Sequence, residues 1–528
     1  MNTELLKFFF EKGLLVDKEV LDLFQDVNDS ESVKFIIEKI KNTTNQNVIT
    51  KTTLDQNKET VNRVFLELPQ ESQKSLETFK IKFGLSIEIS KEISLESVGK
   101  ASTDKQTDKK HLNFRESIVN VKERPKEIVE KIEVKNFVAH FKNRFVSLRN
   151  VLQEHSELNN LISINKISEG AQGISLIGMI RTKSITKNKN IILEVEDLTG
   201  KIKVLINQNK PDLYKQAEEI TLDAVLGFKG SGNKEIFFVN DLVFPEAMLP
   251  ERKRSNVDEC ALFIGDLHFG SKKFLKESFE RFIEYLSGKV PGTEKEVSKI
   301  KYLFLSGDII TGIGNYPNQE PDLEILDLEE QFLGLAKLLG KIRKDIKIII
   351  SPGNHDCVRL MEPQPLLDEK YAWPLYDLKN VILTENPGKI NIGNNENFQG
   401  FNILTYHGFS YPYYAGNIAP LVLKNAMNTP EDIMKFLLKN RHLAPTHGSN
   451  QYFPLEKDPL FIEEVPDVLV SSHTHKCATS YYNNILIIST SCWEEMTPYQ
   501  EKFGNEPDHC KVPMLNLKTR AIKILDFE

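Results

Sequence analysis

Apolar positions fall into three rhythms along the chain. Near the N-terminus Leu5, Leu6, Phe9, Val20, Leu21, Leu23 and Phe24, then Val33, Phe35, Ile36, Ile37 and Ile40, recur close to the helical period, which predicts a small helical module over 1–42. A helical pattern returns from Phe137 to Leu161 inside a connector over 131–168. The second rhythm is short alternation, with strands predicted at 174–182, 191–195, 202–206, 224–230 and 236–243 and turn residues between them. Five short strands in one stretch describe an all-β unit over 169–250, of the size of an OB-fold barrel; the pattern alone suits any small barrel or sandwich equally. From Cys260 onward the third rhythm begins. Apolar strands at 261–264, 302–305 and 346–350 alternate with helical stretches at 274–286 and 323–342, and further strands follow at 403–406, 468–471 and 485–489. That is α/β grammar, and it predicts a domain over 258–528.

Between these units the composition changes. Residues 41–60 and 99–110 are rich in Asn, Thr, Gln, Lys, Ser and Asp, so 43–130 reads as mostly flexible linker. Within it, Phe79, Ile81, Phe83, Leu85, Ile87 and Ile89 alternate as a strand would, with no evident partner.

Composition narrows the function classes. The chain has 528 residues, 40% hydrophobic and 27% charged, ordinary values for a soluble multidomain protein. A formal net charge of -7 does not advertise a nucleic-acid binder, so any such contact rests on local patches. No stretch approaches the roughly 18 apolar residues of a spanning helix, and the first ten residues hold only a three-residue Phe run, so neither membrane insertion nor export is predicted. The five cysteines are scattered without a C-x-x-C pair, which fits a reducing cytoplasm.

Five polar motifs follow predicted strands in order: Gly265-Asp266-Leu267-His268, Gly307-Asp308, Gly353-Asn354-His355-Asp356, His407-Gly408 and His473-Thr474-His475. Taken singly, a G-D pair reads as a turn and a lone histidine as a satisfied polar residue. Together they assemble carboxylate, imidazole and amide oxygen, the donors that suit divalent first-row metals, without thiolates. Phosphodiester cleavage has a use for two such cations about 4 Å apart, one activating water and both neutralising developing charge. The D-x-H and H-x-H spacings place two ligands on one face of a strand end, and the preceding glycines permit close backbone approach.

This series resembles the calcineurin-like metallophosphoesterases over Cys260 to the C-terminus. The resemblance implies that Asp266, His268 and His475 hold one metal, that Asn354, His407 and His473 hold the other, and that Asp308 bridges them. It also implies that His355 is a catalytic non-ligand, stabilising the transition state or protonating a leaving 3′-oxygen. Two divalent ions are expected, Mn²⁺ by preference, with Mg²⁺, Fe²⁺ or Zn²⁺ also accepted by such donors. Asp356 and Arg359 read either as ordinary charges or as groups that orient ligands or touch phosphate. Ile309-Ile310-Thr311-Gly312 lacks the V-D-R-G of protein phosphatases, and Ser472 stands where many relatives have Gly.

The order of helical module, polar linker, OB-like barrel and phosphoesterase domain resembles the small subunits of archaeal D-family DNA polymerases. Pro250 to Arg254, Trp493 to Gln500 and Lys511-Val512-Pro513 carry the likeness further. It implies a two-metal 3′→5′ exonuclease that proofreads in DNA replication, bound to a separate large catalytic subunit and acting on single-stranded or frayed 3′ ends. A catalytically inactive scaffold subunit and a stand-alone phosphodiesterase are the alternatives. Tyr411, Tyr413 and Tyr414 form either a stacking platform for bases or ordinary packing, and Lys272, Lys273 and Lys276 either touch phosphates or are simply solvated. Docking of the large subunit is expected on the barrel and the C-terminal region, with Trp493 as a contributor and Ile487 and Ile488 either contributing or forming a strand core.

Overall fold

The computed structural model describes residues 131–528 throughout, with 119–122, 89–90 and scattered positions between 8 and 50. Its contacts divide the chain into two units, one of residues 1–90 with 521–524 and one of 91–520 with 525–528. In the first, strand Leu15–Val16 pairs in parallel with Val48–Ile49, and Val20, Val33 and Ile37 are buried in helical positions. Most of the helical module expected over 1–42, and the alternating stretch 79–89 apart from strand Ile89–Ser90, lie outside the described residues.

The second unit opens with a short strand inside the stretch 43–130 expected to be mostly linker. Val119–Val121 is a strand, paired antiparallel with Gly388–Ile392 at one end of a six-stranded sheet. Helix Val134–Gln153 follows. It ends well short of Leu161, because the apolar residues that continue its rhythm serve the barrel instead: Leu158 packs with Ile177 and Val225, and Leu161 bridges to Ser175.

Strands Ala171–Ile185, Ile191–Glu196, Lys201–Ile206, Val225–Gly232 and Ile236–Val243 close into a barrel in which the third pairs in parallel with the fifth. Helix Pro211–Glu218 joins the third strand to the fourth. Alternation is clearest where a strand buries one face: Ile202, Val204 and Ile206 point inward while Lys201 and Lys203 are exposed, whereas the first and fourth strands also bury Ile177, Met179 and Val225 against helix Val134–Gln153.

The α/β domain has two sheets. In the first, Val381–Leu383, Lys347–Ser351, Ile300–Ser306 and Cys260–Ile264 lie parallel in that order, followed by antiparallel Lys511–Asn516. Phe401–Thr405, Val468–Ser471 and Ile485–Ser489 form a parallel set in the second. Strands buried on both faces read as unbroken apolar runs. Helices Lys276–Leu286, Leu328–Leu339 and Glu369–Tyr376 share a core with one face of the first sheet, whereas Tyr411–Asn417 and Pro430–Asn440 do so with the second. Among the described residues no helix is long and apolar enough to cross a membrane.

Candidate metal centre

All five motifs sit just past the carboxyl ends of parallel strands, three from the first sheet and two from the second. The strand ends approach closely. A Cβ on Gly265 would lie 2.8 Å from the Ser472 side chain, and one on Gly307 2.4 Å from His407 Nδ1. One on Gly353 would meet Asp308 Oδ1 at 2.3 Å. Only glycine leaves room for these crossings.

Pairing within D-x-H and H-x-H arises differently from the strand pleat expected above. Asp266, His268, Asp308, His473 and His475 all adopt left-handed backbone, with φ of 48, 47, 49, 68 and 57°. The strand is finished before the ligands begin, and turns of positive φ swing the side chains inward. Outside glycine such conformations are uncommon, even though Asp and His adopt them more readily than most residues, and a cluster of five persists where the surroundings enforce it, which marks functional sites. Two of the enforcing bonds are visible: the His473 N–H donates to Asp266 Oδ2 (2.8 Å) and the His355 N–H to Asp308 Oδ1 (2.8 Å).

The side chains gather in two groups around Asp308. Ligating atoms of Asp266, His268 and His475 lie within 4.8 Å of one another, as do those of Asp308, His407 and His473. Asp308 Oδ2 is 3.2 Å from His407 Nε2 and 4.0 Å from His268 Nε2, so it faces both groups. Asn354 Oδ1 is 2.9 Å from His407 Nε2. His355 lies near enough to His268 and Asp308 to be grouped with them, yet its Nδ1 is engaged, donating to Thr311 O at 3.0 Å with the Asn315 amide nitrogen 3.3 Å away.

Burial and mutual charge set the protonation. Burial opposes the charge on Asp308, but His407 and His355 hold its carboxyl well below the usual range. Asp266 goes the other way, pushed well up by burial and by Asp308. His407, though buried, is raised to about 10 by Asp308, while burial and the charge on His407 push His473 down to about 3. Burial and His268 take His475 well below its ordinary value.

This donor set fits divalent cations. Asp266 Oδ1 is buried with no hydrogen-bond partner, and imidazole nitrogens that burial keeps neutral converge on two carboxylates. Such an arrangement is costly unless something positive compensates it.

Other expected site residues take different roles. Asp356 is buried and accepts from the main-chain N–H groups of Gly353 (2.7 Å) and Ile310 (3.0 Å), fixing two ligand loops rather than touching phosphate. Arg359 donates to Pro363 O (2.7 Å) and lies 3.8 Å over the Phe453 ring. Of the two readings of the tyrosines, packing describes Tyr411 and Tyr414, which are fully buried in the core beneath the second sheet, and the half-buried Tyr413 packs edge-on against Tyr414. Lys272 and Lys273 donate to the carbonyls of Pro321 and Met496. Trp493, Ile487 and Ile488 are sealed inside, so they offer nothing to a partner. Sequence reading missed Asn315 and Gln500. The latter lies 2.6 Å from His475 and was visible as the last residue of a T-x-x-Q capping box, although its target was not.

Residues 261–477 match the calcineurin-like phosphoesterase family. With two sheets delivering acidic and histidine ligands to one place, the domain is that of a metallophosphoesterase. The chain as a whole belongs to the family of archaeal DNA polymerase II small subunits: it is 34% identical over 398 residues to that subunit from Methanothermobacter thermautotrophicus, covering 75% of this chain and 80% of the relative. The Pyrococcus horikoshii subunit is 34% identical over 480 residues, 88% of this chain and 73% of that one. Against the Pyrococcus furiosus subunit, identity is 36% over 407 residues, 75% of this chain and 64% of that protein, less than two thirds of its length.

Proposed function

We propose that the chain is the small subunit of a replicative DNA polymerase and serves it as a two-metal 3′→5′ exonuclease that proofreads DNA. The observation that carries this reading is Asp308 facing both histidine-rich groups, 3.2 Å from His407 and 4.0 Å from His268. Asp266, His268 and His475 would hold one cation and Asn354, His407 and His473 the other, with Asp308 shared. Mn²⁺ is the preferred ion, since nitrogen and oxygen donors without thiolate suit it. Bound there, the pair supplies an acidified water and neutralises the charge of the attacked phosphodiester.

The chain's own residues handle the proton. His355 keeps its Nδ1–H on Thr311 O, which leaves Nε2 as the nitrogen that exchanges a proton with the departing 3′-oxygen. The barrel's strand order, with the third strand beside the fifth and a helix between third and fourth, supports an OB-fold, a unit that suits single-stranded DNA and protein docking. The partner in this reading is a large catalytic subunit, and the substrate a frayed or single-stranded 3′ end.

Incubating a 5′-labelled single-stranded oligonucleotide with Mn²⁺ and the purified chain tests the proposal. A ladder that shortens from the 3′ end and vanishes in His355→Ala supports it. Absence of degradation by the wild type, alone and with a large polymerase subunit, overturns it in favour of a non-catalytic scaffold.

A further inference from the structure

The two halves of the centre differ in how their histidines are held from behind. His407 turns Nδ1 toward Ser306 O at 3.0 Å. A carbonyl only accepts, so Nδ1 keeps its proton; Nε2, turned to Asp308 and Asn354, is the nitrogen whose proton a cation would displace. This is the usual support for a metal-binding histidine.

His475 is held the opposite way. Its Nε2 faces the site, 3.2 Å from His268 Nε2 and 3.9 Å from Asp266 Oδ1. Its Nδ1 meets Gln500 Nε2 at 2.6 Å. The orientation of that amide is fixed by the capping box of helix Pro498–Phe503, in which Gln500 Oε1 accepts from the Thr497 N–H (2.8 Å) while Thr497 Oγ1 accepts from the Gln500 N–H (3.3 Å). An amide nitrogen only donates, so Nδ1 of His475 must accept and carry no proton. In a neutral imidazole the proton then sits on Nε2, the very atom that would bind the cation.

The same segment is tied to the rest of this half. The Trp493 N–H donates to Asp266 O (3.0 Å), Glu494 Oε1 accepts from Ser271 Oγ (2.5 Å), and the Glu495 N–H donates to Lys273 O (3.0 Å). Residues 493–500 therefore strap the loop that follows the first strand and end on His475.

Building on the two-cation reading, we infer that Gln500 is a positioning residue that makes the two metal sites unequal: its cap-locked amide holds His475 in the tautomer that cannot bind, so the Asp266–His268–His475 half loads second. Loading requires the Gln500 amide to rotate, so that Oε1 accepts from His475 Nδ1–H. The rotation sets Nε2 against the Thr497 N–H and breaks one side of the capping box. Occupancy of this half is thus coupled to the cap of helix Pro498–Phe503, and the Asn354–His407–His473 half has no such coupling. Gln500→Glu removes the conflict, because one carboxylate oxygen accepts from Thr497 while the other accepts from His475.

Mn²⁺ titration of the full chain by calorimetry, without nucleic acid, tests this in wild type and Gln500→Glu. Two binding steps are expected in the wild type, and Gln500→Glu tightens the weaker one by roughly tenfold, the low end of what partners behind a ligand contribute. Nitrogen-edited NMR of histidine-labelled wild type, assigned with His475→Gln, gives a readout that needs no altered Gln500: the metal-free protein carries the His475 proton on Nε2 and moves it to Nδ1 on loading. Two steps with equal affinities in wild type and Gln500→Glu overturn the inference alone, as does an Nδ1 proton on His475 before metal is added. Absence of Mn²⁺ binding in the wild type overturns the two-cation reading and the inference with it.

Discussion

Arg144 Nε donates to Asp458 Oδ2 at 2.5 Å, and neither side chain is exposed to solvent. The pair joins helix Val134–Gln153 to a loop of the α/β domain. His442 Nε2 lies 2.8 Å from the same carboxylate oxygen, and the Arg144 guanidinium also donates to Pro445 O (2.7 Å). Arg144→Ala would leave Asp458 charged and buried without its main partner. Breaking such a pair costs about 3–5 kcal/mol. Urea unfolding is expected to lose that much stability, and a loss below about 1 kcal/mol, the worth of an exposed pair, would show that solvent reaches the carboxylate.

Acid should loosen the same junction. Burial and the charge on Arg144 push His442 down to about 4, so in the folded protein it stays neutral, whereas an unfolded chain protonates its histidines near pH 6.5. The unfolded state thus takes up a proton that the folded state refuses. Stability falls as pH drops from 6.5 toward 4. Asp458, held well below the carboxylate range by Arg144 and His442 against burial, adds a loss in the same direction below about pH 4. Denaturation midpoints at pH 7.5, 6 and 5 should decline in that order, with a shallower decline in His442→Gln.

Gly353→Ala tests how tightly the strand ends are packed. The added methyl would lie 2.3 Å from Asp308 Oδ1 and 2.5 Å from Asp308 N, displacing the carboxylate shared by both groups. A displacement approaching 1 Å at a reacting centre costs about 100-fold in rate. The proposed nuclease activity should drop on that order, and the proposed Mn²⁺ affinity with it, while far-ultraviolet circular dichroism stays unchanged.

Tyr411→Ala separates core from platform. A stacking residue would weaken oligonucleotide binding and leave the melting temperature alone. Buried as it is beside Tyr406 and Tyr414, Tyr411 should instead behave as a core aromatic, whose truncation costs about 3 kcal/mol or more, with Kd for single-stranded DNA unchanged in the folded fraction.

Much of the site was legible because polar motifs stand out directly after apolar runs. Strands buried on both faces leave no alternation, so Gly265-Asp266 and Gly307-Asp308 mark where the runs stop and chemistry begins. The barrel was legible for the converse reason, its half-buried strands alternating as Lys201–Ile206 does. What stayed hidden depends on partners distant in sequence. Val119–Val121 lies in a polar surrounding and becomes a strand only by pairing with Gly388–Ile392. Trp493 and Tyr411 look like surface aromatics in polar contexts until Phe279, Phe282 and Phe527 enclose the first and Tyr406 adjoins the second. Left-handed backbone at His268, His473 and His475 carries little sequence signal, since histidine adopts it more readily than most residues but only in a small minority of cases.

Because the five barrel strands close on themselves through Lys203, Val204 and Leu205 beside Ile236, Phe237 and Phe238, the seam between the third and fifth strands is already paired. An incoming polypeptide finds no free edge along that seam on which to add a strand. A partner seated at the seam must bind through side chains and loop tips, so its affinity will respond to point substitutions on the outer surface there and will resist competition by strand-mimicking peptides.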